Sequence, residues 1–167
     1  MFRLKVLTHG DVKKSELDDI IRIKSVAWPY SYNSQKKWIN DNLCDEDLHL
    51  ILMLDNRGVA YLNLINITVE INNETYISYG VGNVCSCIQG CGYGQGLLTL
   101  VNKFIIESNR VGLLFCKSNL VDFYKKYKWE IVDKNIINTK INIYGFDLMV
   151  FNSPKVLHNL TYNERLF

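Results

Sequence analysis

The chain has 167 residues, 48% of them hydrophobic and 22% charged, with 19 Lys+Arg against 17 Asp+Glu and a formal net charge of +2. A chain of this length buries about 70% of its unfolded surface around one core, which argues for a single domain over residues 1–167 and against a disordered tail. Its pI near 8.2, with both signs interspersed, lacks the basic footprint that duplex nucleic acid requires.

Residues 3–7 read as a short strand, and residues 15–28 carry Leu17, Ile20, Ile21 and Val26 in a helical rhythm that Pro29 ends. A second helix is expected from Ser34, as N-cap, through Trp38, Ile39 and Leu43. Residues 48–54 are apolar on both faces apart from His49, and Asp55-Asn56-Arg57-Gly58 then signals a hairpin, because Asn and Gly tolerate positive φ. The partner strand runs over 59–71 with Ile65, Ile67, Val69 and Ile71 alternating, Asn72-Asn73-Glu74 reverses the chain, and 76–87 form a further strand. After a Gly-rich stretch, Leu97, Val101, Phe104, Ile105 and Ser108 mark one stripe of a long helix. Residues 111–116 make a short buried strand, Ser118 or Asn119 caps a short helix, 129–132 and 141–151 are strands, and the tail from Pro154 is irregular. The order β, α, α, three β, α, β, α, β, β describes one α+β domain.

Five cysteines, Cys44, Cys85, Cys87, Cys91 and Cys116, are an odd set in a chain long enough to fold without staples, so reduced thiols and a cytoplasmic location are expected. No apolar run reaches the roughly 20 residues of a membrane span, residues 1–7 are no signal-peptide core, and no membrane partner is expected. Asn-x-Thr triplets at Asn66, Asn73 and Asn159 would matter only in a secreted protein. Cys85-x-Cys87-x-x-x-Cys91 lacks a second chelating pair, since His9, His49 and His158 are isolated, and no metal is expected.

Gly90, Gly92, Gly94 and Gly96 stand between a strand and a helix. Unpaired N–H groups at a helix N-terminus, the helix dipole and residues without side chains together favour a phosphate or pyrophosphate; the plain alternative is a flexible turn. A Walker A loop is excluded because no lysine follows until Lys103. The dinucleotide fingerprint fails too, since the sixth position is Gln95 counted from Gly90 and Leu97 counted from Gly92.

The pattern that fits is Gln89-x-x-Gly92-x-Gly94, with Val84 five residues before the Gln. It resembles the acyl-CoA motif Gln/Arg-x-x-Gly-x-Gly/Ala of the GNAT superfamily of N-acyltransferases. Downstream, Phe123-Tyr124-Lys125-Lys126-Tyr127-Lys128-Trp129 resembles the family's helix-to-strand segment, in which a tyrosine precedes an aromatic by five residues. Two positions depart from the family: Lys128 replaces the usual Gly, and Lys117 the frequent Asn.

The resemblance implies a mostly antiparallel sheet of six to seven strands, splayed in the middle and flanked by about four helices. It implies acetyl-CoA as cosubstrate, its pyrophosphate on the backbone of Gln89, Gly90, Cys91, Gly92, Tyr93 and Gly94, and its pantetheine along Val84 and Ser86. Tyr124 would then be the catalytic acid for the departing thiolate, the alternative being packing beside Phe123. Trp28, Tyr30 and Tyr32 would lie over the acceptor site, where aromatic rings could enclose a small-molecule or peptide amine, and Tyr79 would join them from a central strand. Glu70, Glu74, Tyr79 and His49 are the candidate bases, although charged residues at strand ends are usually solvated surface and a structural role is favoured for His49. Direct attack in a ternary complex is expected, with an acyl-cysteine at Cys91 or Cys116 as the other route. The reading from a different class is a coenzyme A-binding regulatory or interaction module without turnover. A homodimer through the C-terminal strand and tail is compatible with the sequence.

Overall fold

Each predicted reversal is built on two consecutive left-handed residues. Asp55 and Asn56 have φ of 47° and 65°, and Asn72 and Asn73 have φ of 51° and 64°. That pairing defines the hairpin turn whose twist matches the strands it joins, and Asn and Asp adopt it at little cost. The turns connect β2 (Leu48–Leu54) to β3 (Arg57–Ile71) and β3 to β4 (Glu74–Ser86) in a computed structural model that describes Met1–Phe167. The other elements are β1 (Phe2–Thr8), α1 (Lys14–Ala27), α2 (Tyr32–Asn42), α3 (Tyr93–Glu107), β5 (Val111–Cys116), α4 (Val121–Lys125), β6 (Glu130–Ile131), β7 (Ile137–Asn138), β8 (Asp147–Phe151) and β9 (Leu160–Thr161). The fold is α+β, a mixed nine-stranded sheet with four α-helices, and no helix is long and apolar enough to cross a membrane.

The chain divides into two compact units, Met1–Ile65 with Gly82–Val101 and Asn66–Val81 with Asn102–Phe167. In the first, β1 and β2 are antiparallel from Phe2 opposite Leu54 to Thr8 opposite Leu48, and β2 pairs with β3 through Leu50 opposite Leu62. Alternation puts Leu50, Leu52, Leu62 and Leu64 on one face and His49, Ile51, Tyr61 and Asn63 on the other, and all are buried. α3 covers the leucine face: a Cβ at Gly96 would meet Leu52 at 3.3 Å and Phe2 at 3.0 Å. α1 covers the other, where Ile23 and Ile51 both touch the Cβ position of Gly58.

In the second unit β4 and β5 are parallel through Ser78, Tyr79 and Gly80 opposite Val111, Gly112 and Leu113, and there the ladder stops. β8 continues the order antiparallel to β5, with β6 outside it. Trp129, 1% exposed, lies over Gly112, where a Cβ would come within 2.7 Å of the indole, and stacks on Phe151 at 5.3 Å between ring centroids. Its Nε1 donates to Asn102 Oδ1 at 3.0 Å, so the indole is satisfied in the core.

Four expectations change. α2 begins at Tyr32 because Ser31, rather than Ser34, is the N-cap, its Oγ accepting from the Ser34 amide at 3.2 Å. Neither Ser118 nor Asn119 caps α4; Ser118 Oγ donates instead to Asp147 Oδ2 at 2.6 Å. The long strand over 141–151 shrinks to β8, since Asn142 Oδ1 takes the Tyr144 amide at 3.0 Å and Gly145 turns left-handed at φ 80°. The tail is not irregular throughout: β9 pairs with β7 and with β3 at Glu70 and Ile71, which brings the strand count to nine.

Candidate functional site: the glycine loop and its surroundings

The four glycines divide into two jobs. Gly90 and Gly92 are left-handed at φ 79° and 74°. A Cβ on Gly90 would meet nothing within 4 Å, and one on Gly92 only Gln95 Oε1 at 4.0 Å, so both face open space. Gly96 is the packing glycine described above, and Gly94 lies in the first turn of α3.

The first intrahelical bond of α3 is Gly96 N to Gly92 O at 2.9 Å; no group of the chain accepts from the amides of residues 92–95. This is a run of orphan donors at the positive end of a 15-residue helix. Gln89 and Cys91 are exposed, while Tyr93 is half-buried with its ring edge-on to Phe2 at 6.1 Å. The loop fits an anion with several oxygens, because it offers donors, a favourable dipole and no side chain in the approach at Gly90 and Gly92.

β4 leads into this loop with a kink. Asn83 is left-handed at φ 55°, and its side chain is held from both sides: Lys24 Nζ donates to Asn83 Oδ1 at 3.1 Å, and Asn83 Nδ2 donates to Asn63 Oδ1 at 2.6 Å. Val84 and Ser86 follow, both half-buried, and Ser86 Oγ donates to Ile88 O at 3.2 Å. Lys24 is 2% exposed, with its ammonium 4.1 Å from the Trp38 ring centroid and 5.9 Å from that of Trp28. Burial without a carboxylate partner lowers it to about 8, and burial pushes the neighbouring Cys85 thiol up to about 12. Sequence reasoning passed over Lys24, Asn63 and Asn83. The available signal was a lysine inside the apolar rhythm of Ile20, Ile21 and Ile23.

Tyr124 lies on α4, 6% exposed and edge-on to Phe123 at 5.2 Å and to Trp129 at 6.4 Å. Burial, with Cys116 nearby, pushes its phenol upward, so the group holds its proton. Its hydroxyl has no hydrogen-bond partner and is not among the sealed polar atoms, so it is the solvent-touching end of the side chain. Lys128, just before Trp129, is left-handed at φ 64°.

The aromatic turn is spread out. Trp28 is the C-cap of α1 and its carbonyl accepts from Gln35 Nε2 at 2.6 Å, Tyr30 is 66% exposed, and Tyr32 OH donates to Asp18 at 2.6 Å. Tyr79 is buried, stacked on Phe104 at 6.1 Å between centroids. Among the candidate bases, Glu74 is exposed and bound to Lys155 and Tyr76. His49 is fully buried between His9 at 2.9 Å and Tyr61 OH at 2.7 Å, and burial lowers it to about 3. Glu70 is half-buried on β3, opposite Thr161.

No protein-family model and no curated protein matches the sequence. Solved structures match its architecture. ElaA of Escherichia coli aligns with a TM-score of 0.63 over 91% of this chain and 100% of its own, at 16% identity. An acyl-CoA N-acyltransferase from Pseudomonas aeruginosa gives 0.64 over 90% and 99%, at 17% identity. The Bacillus subtilis N-acetyltransferase YlbP, solved in complex with coenzyme A, gives 0.58 over 90% and 96%, at 15% identity. The chain thus has the α+β fold of these solved structures, among them an acyl-CoA N-acyltransferase and an N-acetyltransferase.

Proposed function

We propose that this protein is an acyl-CoA-dependent N-acetyltransferase that transfers an acetyl group to a primary amine of a small molecule or peptide by direct attack. The observation that carries this reading is the row of unpaired amides in residues 92–95 beside the left-handed, side-chain-free Gly90 and Gly92. Acetyl-CoA, when bound, supplies the activated thioester. Gln89, Gly90, Cys91, Gly92, Tyr93 and Gly94 would hold its pyrophosphate through backbone donors, and Val84 and Ser86 lie on the strand that would run beside its pantetheine amides.

Tyr124 keeps its proton at neutral pH and would donate it to the departing sulfur, which is the group a thioester aminolysis has to protonate. The half-buried Trp28 with the exposed Tyr30 and Tyr32 offers aromatic surface to an amine. His49 is unsuited to take up the amine's proton, because burial keeps it neutral only by making its ring a weak base.

Titration calorimetry with acetyl-CoA tests the reading. The wild type is expected to bind, and Gly92→Val, which fills the approach and strains a left-handed residue, should bind at least about tenfold more weakly, a loss of about 1.4 kcal/mol. Indifference of the wild type to acetyl-CoA overturns the proposal. Tyr124→Phe should bind normally and lose about 10²-fold in kcat. A wild type that binds yet consumes no thioester with any amine is instead the non-catalytic binding module.

A further inference from the structure

At the C-terminal end of α3 the chain reverses through Asn109, left-handed at φ 51°, with Arg110 N donating to Ile105 O at 3.2 Å and Asn109 N to Ile106 O at 2.9 Å. This is the helix-ending motif in which the backbone satisfies the last carbonyls itself. Those carbonyls therefore need nothing from a cationic side chain. The Arg110 side chain nevertheless stays on the protein, with its guanidinium carbon 5.4 Å from the Tyr79 ring centroid and its Nη1 buried without any acceptor.

No carboxylate answers this charge. Glu107 on α3 turns to Lys103 at 3.6 Å, and Glu74 on β4 is held by Lys155 at 2.6 Å and by Tyr76 OH at 2.9 Å. Nη1 is sealed from solvent and out of a ligand's reach, whereas Nε and Nη2 touch solvent without a partner in the chain, and a guanidinium is built to grip an oxyanion by two parallel bonds. Arg110 lines a cleft of about 430 Å³ with Thr75, Ile77, Ser108, Asn109 and Asn152. Thr75 and Ser108 bring hydroxyls and the asparagines bring amides to its lining, and Ile77, 60% exposed and on the same strand face as Thr75, adds apolar surface. Asn152 Nδ2 already donates to the Arg110 carbonyl at 2.8 Å, which fixes the backbone from which the guanidinium projects.

We propose that this cleft, built within the second unit and independent of the acetyl-transfer reading, binds a small organic oxyanion, a carboxylate or a phosphate monoester. The oxyanion pairs with Arg110 and the carbon body rests on Ile77. The ligand replaces the counter-charge that the chain omits, while Ser108 and Thr75 supply further donors at the rim.

The test follows the backbone amides of residues 108–111 and the Arg110 Nε–H by ¹⁵N NMR. The full chain is titrated separately with inorganic phosphate and with butyrate, at an ionic strength held constant with chloride. Saturable shifts with either probe that vanish in Arg110→Met support the proposal; saturation by phosphate alone assigns a phosphate ester, and by butyrate alone a carboxylate. Ile77→Glu, which places a carboxylate on the exposed wall beside the guanidinium, should abolish the shifts and raise Tm by about 2–4 °C. The proposal is overturned if neither probe saturates, or if Arg110→Met or Ile77→Glu responds as the wild type does.

Discussion

Lys128 shows a residue other than glycine, asparagine or aspartate held in the left-handed region. It precedes the sealed Trp129 and turns left-handed at φ 64°. A side chain there costs about 1–2 kcal/mol relative to a conformation it prefers, a cost that glycine avoids. Lys128 is exposed, so Lys128→Gly should stabilise the protein by about 1 kcal/mol, read as a higher urea midpoint at unchanged slope.

Lys24 makes the converse case, a charge hidden where its neutral form is favoured. Its folded value of about 8 lies below the ordinary 10.5, so above pH 8 the unfolded chain binds more protons and stability rises with pH. The buried Cys85, raised from 9.0 to about 12, works in the opposite direction once its unfolded thiol ionises. The clean window is therefore pH 7.5 to 9. Wild type should gain stability across it, and Lys24→Met, which has no proton to lose, should show no gain in the same urea titrations.

Among the elements, α3 separates two uses of glycine that look alike in sequence. Gly90 and Gly92 are needed for their backbone, and Gly96 for the distance at which the helix meets Leu52. Gly96→Val should thus cost about 1–3 kcal/mol through overpacking against a buried leucine. Gly90→Ala should cost only the left-handed strain, about 1–2 kcal/mol, and leave the core untouched. Thermal unfolding with Leu52→Ala added to each variant checks the contrast: the two changes should couple for Gly96→Val and simply add for Gly90→Ala.

The strand–helix order from β1 to β5 was legible because each element carries a full period of apolar residues and each reversal an Asn or Gly signal. Residues 141–146, apolar at Ile141, Ile143 and Phe146, fall within the strand expected over 141–151. Local chemistry overrode it through the Asn142 side chain and Gly145. The tail was opaque for a different reason. Its order comes from distant partners, such as β9 against β3 and Glu164 on the amide and hydroxyl of Thr68, and no local pattern announces them.

At the scale of the whole molecule the same division applies to the candidate site. The glycine motif and the aromatic segment could be found by spacing, because backbone donors and helix positions follow from local order. The groups that brace the site could not. Lys24, Asn63 and Asn83 are separated by up to 59 residues along the chain, and only the fold makes them one hydrogen-bonded series. Arg110 was likewise unreadable, since what distinguishes it is the missing acceptor rather than its neighbours in sequence.

The tryptophans also fall on different sides of the division into units. Trp129 is sealed over Gly112 in the second unit, whereas Trp28 and Trp38 lie beside the Lys24 ammonium in the first. The protein thus carries its own optical labels, a blue-emitting indole in one unit and two partly hydrated ones in the other. Trp129→Phe leaves emission from the first unit alone, and the double Trp28→Phe, Trp38→Phe variant leaves that of the second. Overlaid denaturation curves from the two will show a single cooperative transition if the units unfold together, and two midpoints if each melts on its own.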